Sequence, residues 1–240
     1  MKLKEIYAIL DKLSPFETQE KWDNSGLIIG SFEDEVKEIV LSIDLDEEII
    51  DRFSPNTLFI VHHPLIFGKL NNLNFSKYPS NLIQKLILNR QSVIAMHTNF
   101  DKSHLNSYVF KEVLKFNLDY CDEFICATNE EFKFEDLIDR VKKAFNLPLL
   151  RVVNKKDNIK GVALTTGAGA SLMDLVDADC YITGDIKYHD AIKAQNQNLM
   201  LIEVGHYESE RFFANALGNL LKTLNISVII TESKNPFEIF

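Results

Sequence analysis

Four of the six histidines, His62, His63, His97 and His206, stand at the ends of β-branched or aromatic runs that read as strands. The carboxyl ends of strands are where open α/β sheets place their sites. Asp101 follows His97 by four residues in HTNFD, and Glu210 follows His206 by four in HYESE. Imidazole and carboxylate without thiolate form a ligand set for Zn, Fe(II), Mn, Co or Ni. The neighbours His62 and His63 would diverge on a regular strand, where successive side chains point to opposite faces. At a strand end followed by Pro64 the backbone can turn, and the two rings can serve adjacent positions. One histidine for each of two metals is a natural use of such a pair, with a carboxylate such as Glu210 bridging them. Two cations about 3.5–4 Å apart can clamp a hydrolytic transition state and activate water. A lone strand-end histidine is more often a core or surface residue than a ligand. The recurrence of the pattern, twice with an acid at the same offset, favours a metal site.

Other candidates carry less. His104 opens a helical pattern after the acid-containing loop, where a surface or capping role outweighs ligation. His189, in TGDIKYHD, is a candidate proton carrier or phosphate contact. TTGAGAS, residues 165–171, lacks GxGxxG and GxxxxGK[ST], so a tight strand-to-helix turn is favoured over an anion cradle. No GxSxG elbow and no Ser/His/Asp or Cys/His set is apparent. Trp22, the single tryptophan, lies in EKWDNSGLIIG. Either it packs against the sheet, or its loop presents Asp23 and Asn24 to a cavity.

The elements that position these residues alternate. Strands are expected at 39–43, 58–61, 93–96, 124–127, 162–165, 180–182, 199–204 and 228–230. Helices are expected at 4–13, 47–53, 81–89, 104–116, 134–145, 171–176, 188–195 and 209–224. This order predicts an α/β fold. It also repeats. KEIVLSID, TLFIVHH, SVIAMHTNFD and EFICAT in the first half match KGVALTTG, DCYITGD, LMLIEVGHYESE and SVIITE in the second, element by element. His63 and His97 are 34 residues apart, Gly184 and His206 22, and the difference of 12 is about the length of the Asn-rich loop after Phe67. We expect two similar α/β domains from an internal duplication, residues 1–129 and 130–240, with sheets flanked by helices and a metal site between the halves. The boundary is placed at the polar run Thr128–Glu131, and strand exchange between the halves remains open.

Composition bounds the function. The 240 residues are 46 % hydrophobic and 25 % charged, an ordinary globular balance. Lys+Arg of 26 against Asp+Glu of 35 leaves a net charge of −9, which argues against general nucleic-acid binding but allows a small anionic substrate at a metal. Cys121, Cys126 and Cys180 are odd in number without CxxC spacing, so reduced thiols are expected. No apolar run reaches the roughly 18 residues of a membrane span. The amino terminus reads as an amphipathic helix rather than a signal sequence. A soluble cytoplasmic protein is expected.

EKWDNSGLIIG, VHHPLIFG, AMHTNFD, YITGDIKYHD and EVGHYESE, in that order, resemble the Nif-three-like metal-binding family, the GTP cyclohydrolase 1 type 2 homologues. HHP, HTNxD and GHYxSE in succession form a strong signature. The resemblance implies a duplicated α/β fold and a centre of two divalent transition-metal ions (Zn, Fe, Mn, Co or Ni). It places the ligands on His62, His63, Asp101, His206 and Glu210. His62 and Asp101 would hold one ion, His63 and His206 the other, with Glu210 spanning both; His97 and His189 are the catalytic candidates. It further implies a ring-shaped homohexamer and the compact form without the domain that longer relatives insert. One departure is TGD at Asp185, where the family pattern has TGE. The implied activity is water addition and ring opening of GTP. A metal-dependent nucleotide phosphoesterase and a non-catalytic metal scaffold or metallochaperone are the alternatives.

Overall fold

Short runs of Val, Ile and Leu form the parallel centres of two sheets in the computed structural model, which describes residues 1–238. The first sheet has the order Gly26–Ile29, Ser92–Ala95, Thr57–Val61, Glu38–Ser42, Ile229–Ile230. Its strands are parallel except Gly26–Ile29, which runs antiparallel to Ser92–Ala95. Every residue of Thr57–Val61 is buried, as in a parallel strand covered on both faces. On one face Val40, Phe59, Val61 and Val93 meet Ile49 and Ile50 of the Glu47–Arg52 helix and Leu82, Ile83 and Leu86 of the Ser80–Leu88 helix. Asp46 caps the former, accepting from the Ile49 amide at 2.7 Å. The amino-terminal helix is Leu3–Leu13 and buries Leu3, Ile6 and Leu10, the face its periodicity predicts.

The second sheet has the order Tyr120–Asp122, Ile125–Lys133, Asn158–Thr165, Cys180–Thr183, Met200–Glu203, Arg151–Val153. Asn158–Thr165, Cys180–Thr183 and Met200–Glu203 are parallel, and the outer strands are antiparallel to their neighbours. Ala163, Tyr181 and Leu201 form a core with Met173, Ile186 and Ala194. The expected helix at 171–176 is a three-residue-per-turn helix, Gly169–Leu175. At the start of the expected helix at 104–116 and within it, Asp101–Leu105 and Val109–Val113 are wound as i→i+5 turns. Such turns are frequent at functional sites, and Asp101 begins the first.

The chain forms two compact units that do not follow the expected division at residue 129. One comprises Met1–Phe100 with the described residues from Phe213 onward, the other Asp101–Phe212. The fourth strand of each repeat lies in the other repeat's sheet. Ile125–Lys133 pairs with Asn158–Thr165, and Ile229–Ile230 pairs with Glu38–Ser42. The polar run that suggested a boundary is instead a bulge inside a strand, where the register against Asn158–Thr165 shifts between Thr128 and Glu131.

The hairpin of Tyr120–Asp122 and Ile125–Lys133 corrects the cysteine reading. Cys121 and Cys126 lie opposite each other on its two strands and are joined by a disulfide, while Cys180 is buried and free. Among the described residues no helix is long and apolar enough to cross a membrane.

Candidate metal centre

In the first unit the strand ladder ends at Val61. The amides of His62 and His63 both donate to the Ile43 carbonyl, at 3.1 Å each, so the chain leaves the alternating pleat there. The two rings therefore come together instead of diverging: their centroids are 4.9 Å apart, and His97 lies 5.1 Å from His62 and 5.6 Å from His63. Each of the three can place a ring nitrogen within 4.8 Å of the others. His62 is fully buried and packs against Phe213 at 5.1 Å.

The outer nitrogen of each ring is fixed. His62 Nδ1 lies 3.0 Å from the Met96 carbonyl, which can only accept, so Nδ1 carries the proton and Nε2 the lone pair. His63 Nδ1 is 2.9 Å from Asp44 Oδ1, and His97 Nδ1 is 2.8 Å from Asp23 Oδ1. Carbonyl or carboxylate behind an imidazole is the arrangement that sets the tautomer of metal-ligating histidines. Asp23 is the most committed of these acceptors. It also accepts from the Thr98 amide and hydroxyl, at 3.0 and 2.5 Å, and from the Ser25 hydroxyl at 3.0 Å. Burial pushes its carboxyl pKa up, but the hydrogen bond and charge of His97, with Thr98 and the Asn24 amide, outweigh this and hold it well below the usual carboxylate range.

Asp23→Ala is expected to lower stability by about 2–3 kcal/mol, because buried donors lose their acceptor. A depressed carboxyl contributes stability above its unfolded pKa of about 3.9 and loses it as pH falls through the folded value. Denaturant melts of wild type and variant should therefore differ at neutral pH and converge in strong acid.

In the second unit Gly205, at φ +91°, turns the chain from the Met200–Glu203 strand into the His206–Glu210 helix. The i,i+4 spacing of that helix brings His206 Nε2 to 3.0 Å from Glu210 Oε2. Asp185 Oδ2 holds His206 Nδ1 at 2.6 Å. The shorter acid of TGD thus has a direct role behind the ring. Glu210 is 3 % exposed and Asp101 7 %. Gly167, at φ +62°, leaves the space beside Glu210: a Cβ there would stand 2.0 Å from Oε1. The donor set, its fixed tautomers and this glycine cradle fit a metal-binding role.

The Glu210 hydrogen bond raises the His206 pKa most, burial opposes it, and Asp185 adds to the rise, which reaches about 9. Without metal this ring is protonated at neutral pH. Its contribution to stability is then complete below about 6.5 and lost as pH rises through about 9. Metal must displace that proton, so affinity should rise about tenfold per pH unit below the His206 pKa. Calorimetric titration with Zn in buffers of different ionisation heat should show proton release at pH 7.

The remaining candidates separate clearly. His104 is half-buried, with Nδ1 2.7 Å from Ser103 Oγ, and burial lowers its pKa; no convergent donor group among the described residues includes it. His189 is exposed in the first turn of the Tyr188–Asn196 helix, edge-on to Tyr188 at 5.4 Å, and is likewise in none of those groups. The amides of TTGAGAS are not an anion cradle: those of Thr166, Gly167 and Gly169 donate to Asn106 Oδ1, Ser209 Oγ and Thr183 Oγ1. Trp22 does not pack against the sheet and is 58 % exposed. Asp44 escaped the sequence reading. Its only signal is an acid just past the end of KEIVLSI, a strand that carries no histidine.

The sequence profile of Duf34/NIF3 (NGG1p interacting factor 3) matches residues 1–236. A "GTP cyclohydrolase 1 type 2 homolog" of Campylobacter jejuni is 49 % identical, covering 100 % of both chains. A "GTP cyclohydrolase 1 type 2" of Helicobacter pylori is 41 % identical over 99 % of this chain and 98 % of its own. The crystal structure of Staphylococcus aureus hypothetical protein SA1388 is similar at a TM-score of 0.84 and 25 % identity, covering 100 % of this chain and 99 % of that one.

Proposed function

The chain belongs to the Duf34/NIF3 family, and from that premise we propose that it is a dinuclear metal-dependent hydrolase acting on a nucleotide. The observation that carries this reading is the anchoring of four imidazoles, His62, His63, His97 and His206, each by a carbonyl or carboxylate at Nδ1. We assign His62 and Asp101 to one ion, His63 and His206 to the other, and Glu210 to both. Divalent ions held by these residues would supply Lewis-acid activation of water and neutralise charge on the substrate. His97 is assigned the proton transfer. Asp23 holds its Nδ1–H, which orients Nε2 and stabilises the imidazolium formed when Nε2 takes a proton. The reading includes a cytoplasmic homohexamer.

The relatives' names point to a cyclohydrolase acting on GTP, and the reaction we propose is ring opening of GTP by water, with formate as the diagnostic product. The test is product analysis of the metal-loaded protein incubated with GTP and with nucleoside monophosphates. Chelator-sensitive formate release from GTP supports the cyclohydrolase reading. Phosphate release without formate would assign a phosphoesterase, and no turnover with either would leave a metal-binding scaffold.

A further inference from the structure

Two large aromatic side chains stand out of the first unit beside the histidine cluster. Trp22 is 58 % exposed and Phe67 54 % exposed, and neither belongs to the apolar core. Their ring centroids are 5.8 Å apart at a tilt of 47°. Both approach the same ring: Trp22 and Phe67 each lie 6.0 Å from His97, edge-on at 74° and 75°. The pair is built, not incidental. Asp23, next to Trp22, is tied to His97 and Thr98, and Asn24 Nδ2 donates to the Ile66 carbonyl at 2.6 Å, joining the two loops that carry the rings. Ile66 itself packs on the core, so Phe67 is turned outward from a fixed neighbour.

Rigid, exposed aromatic rings beside polar catalytic groups are suited to one kind of ligand, a flat conjugated ring that stacks on them. Pre-fixing both loops removes the ordering cost that such binding would otherwise carry. We propose that Trp22 and Phe67 form the platform on which the base of the nucleotide substrate stacks, beside His97. This rests on the hydrolase reading above and adds to it the residues that recognise the base. The platform accounts for affinity for a base as such, because every base presents a π face.

Trp22 is the single tryptophan of the chain, so its fluorescence reports the platform alone. The Zn-loaded full-length protein is titrated with GTP and, separately, with inorganic triphosphate. GTP should quench the emission saturably and triphosphate should not. Phe67→Ala and Trp22→Ala, followed by calorimetry, should each weaken GTP binding about tenfold. Both should leave triphosphate affinity and metal content at wild-type levels, and Trp22→Phe should restore most of the loss. GTP binding that is unchanged in both alanine variants overturns the platform while leaving the hydrolase reading intact. Absence of any GTP binding by the metal-loaded protein overturns the platform and the nucleotide substrate together, and loss of bound metal in the wild type overturns the metal site itself. A change of sedimentation in both variants without any quenching by GTP would assign the pair to contact between copies and overturn the proposal.

Discussion

Glu210→Ala is expected to lose at least one metal ion per chain and nearly all metal-dependent turnover. The carboxylate is 3 % exposed and is assigned to both ions. Under that assignment its removal would take away the proposed bridge and the negative charge that would screen the two cations from each other. Glu210→Gln should behave in the same way, because it retains the volume and hydrogen-bonding capacity but not the charge. The fold should survive, since the buried apolar clusters are built from other residues; circular dichroism checks this. His104→Ala is the matched control. His104 lies in the Asp101–Leu105 turn, close to Asp101 in sequence yet outside every convergent donor group among the described residues, so its metal content should stay normal. Two metals in Glu210→Ala, with loss in His104→Ala, would contradict the ligand assignment.

Gly167→Ala should have an effect of similar size without altering any ligand. An added Cβ would stand 2.0 Å from Glu210 Oε1 and 3.0 Å from Cδ, with His206 Cε1 at 3.6 Å. The Glu210 side chain can swing away, and in doing so it leaves the position that the site requires. The φ of +62° adds strain of about 1–2 kcal/mol for any residue with a Cβ. Metal affinity should fall by at least about tenfold, in the range seen when the groups around a metal site are disturbed. The melting temperature should fall by only a few degrees. Gly68→Ala provides the comparison, because a Cβ there meets nothing within 4 Å. Zn titrations that show equal affinity for the two glycine variants would mean that Gly167 does not shape the site.

What the sequence disclosed, and what it hid, follows from the range of the interactions. His62, His63, His97 and His206 could be found because residue type and position at a strand end are local properties. The i,i+4 pairing of His206 and Glu210 is local too, and the His206–Glu210 helix realises it at 3.0 Å. The groups behind the rings were harder to see. Asp44 reaches His63 across 19 residues, and Met96 offers His62 a backbone carbonyl, which no residue type announces. Asp185 was visible as a departure from a pattern, but its purpose depends on a contact with a ring 21 residues away.

Strand exchange was left open by the sequence for the same reason. Periodicity marks Ile125–Lys133 and Ile229–Ile230 as strands but says nothing of their neighbours, and the repeat suggests the wrong ones. Thr128–Glu131 looked like a linker because a bulge frees its residues from regular pairing and tolerates polar side chains. Arg151–Val153 went unread because three residues are too few for an alternating pattern. For Trp22 the sequence left two placements open, against the sheet or on a loop that presents Asp23 and Asn24. Its exposure depends on Asp23 being fixed by His97 and Thr98, which leaves the neighbouring ring outside.

Elemental analysis of the protein purified without chelators tests the dinuclear site most directly. Five proposed ligands, His62, His63, Asp101, His206 and Glu210, are too many for one tetrahedral ion and suit a pair. The expected result is about two transition-metal ions per chain, retained at neutral pH and falling below about pH 6 as protons compete for the imidazoles. No metal above background, together with no uptake on addition of Zn, Mn or Fe(II), would contradict the assignment of these residues as a metal centre.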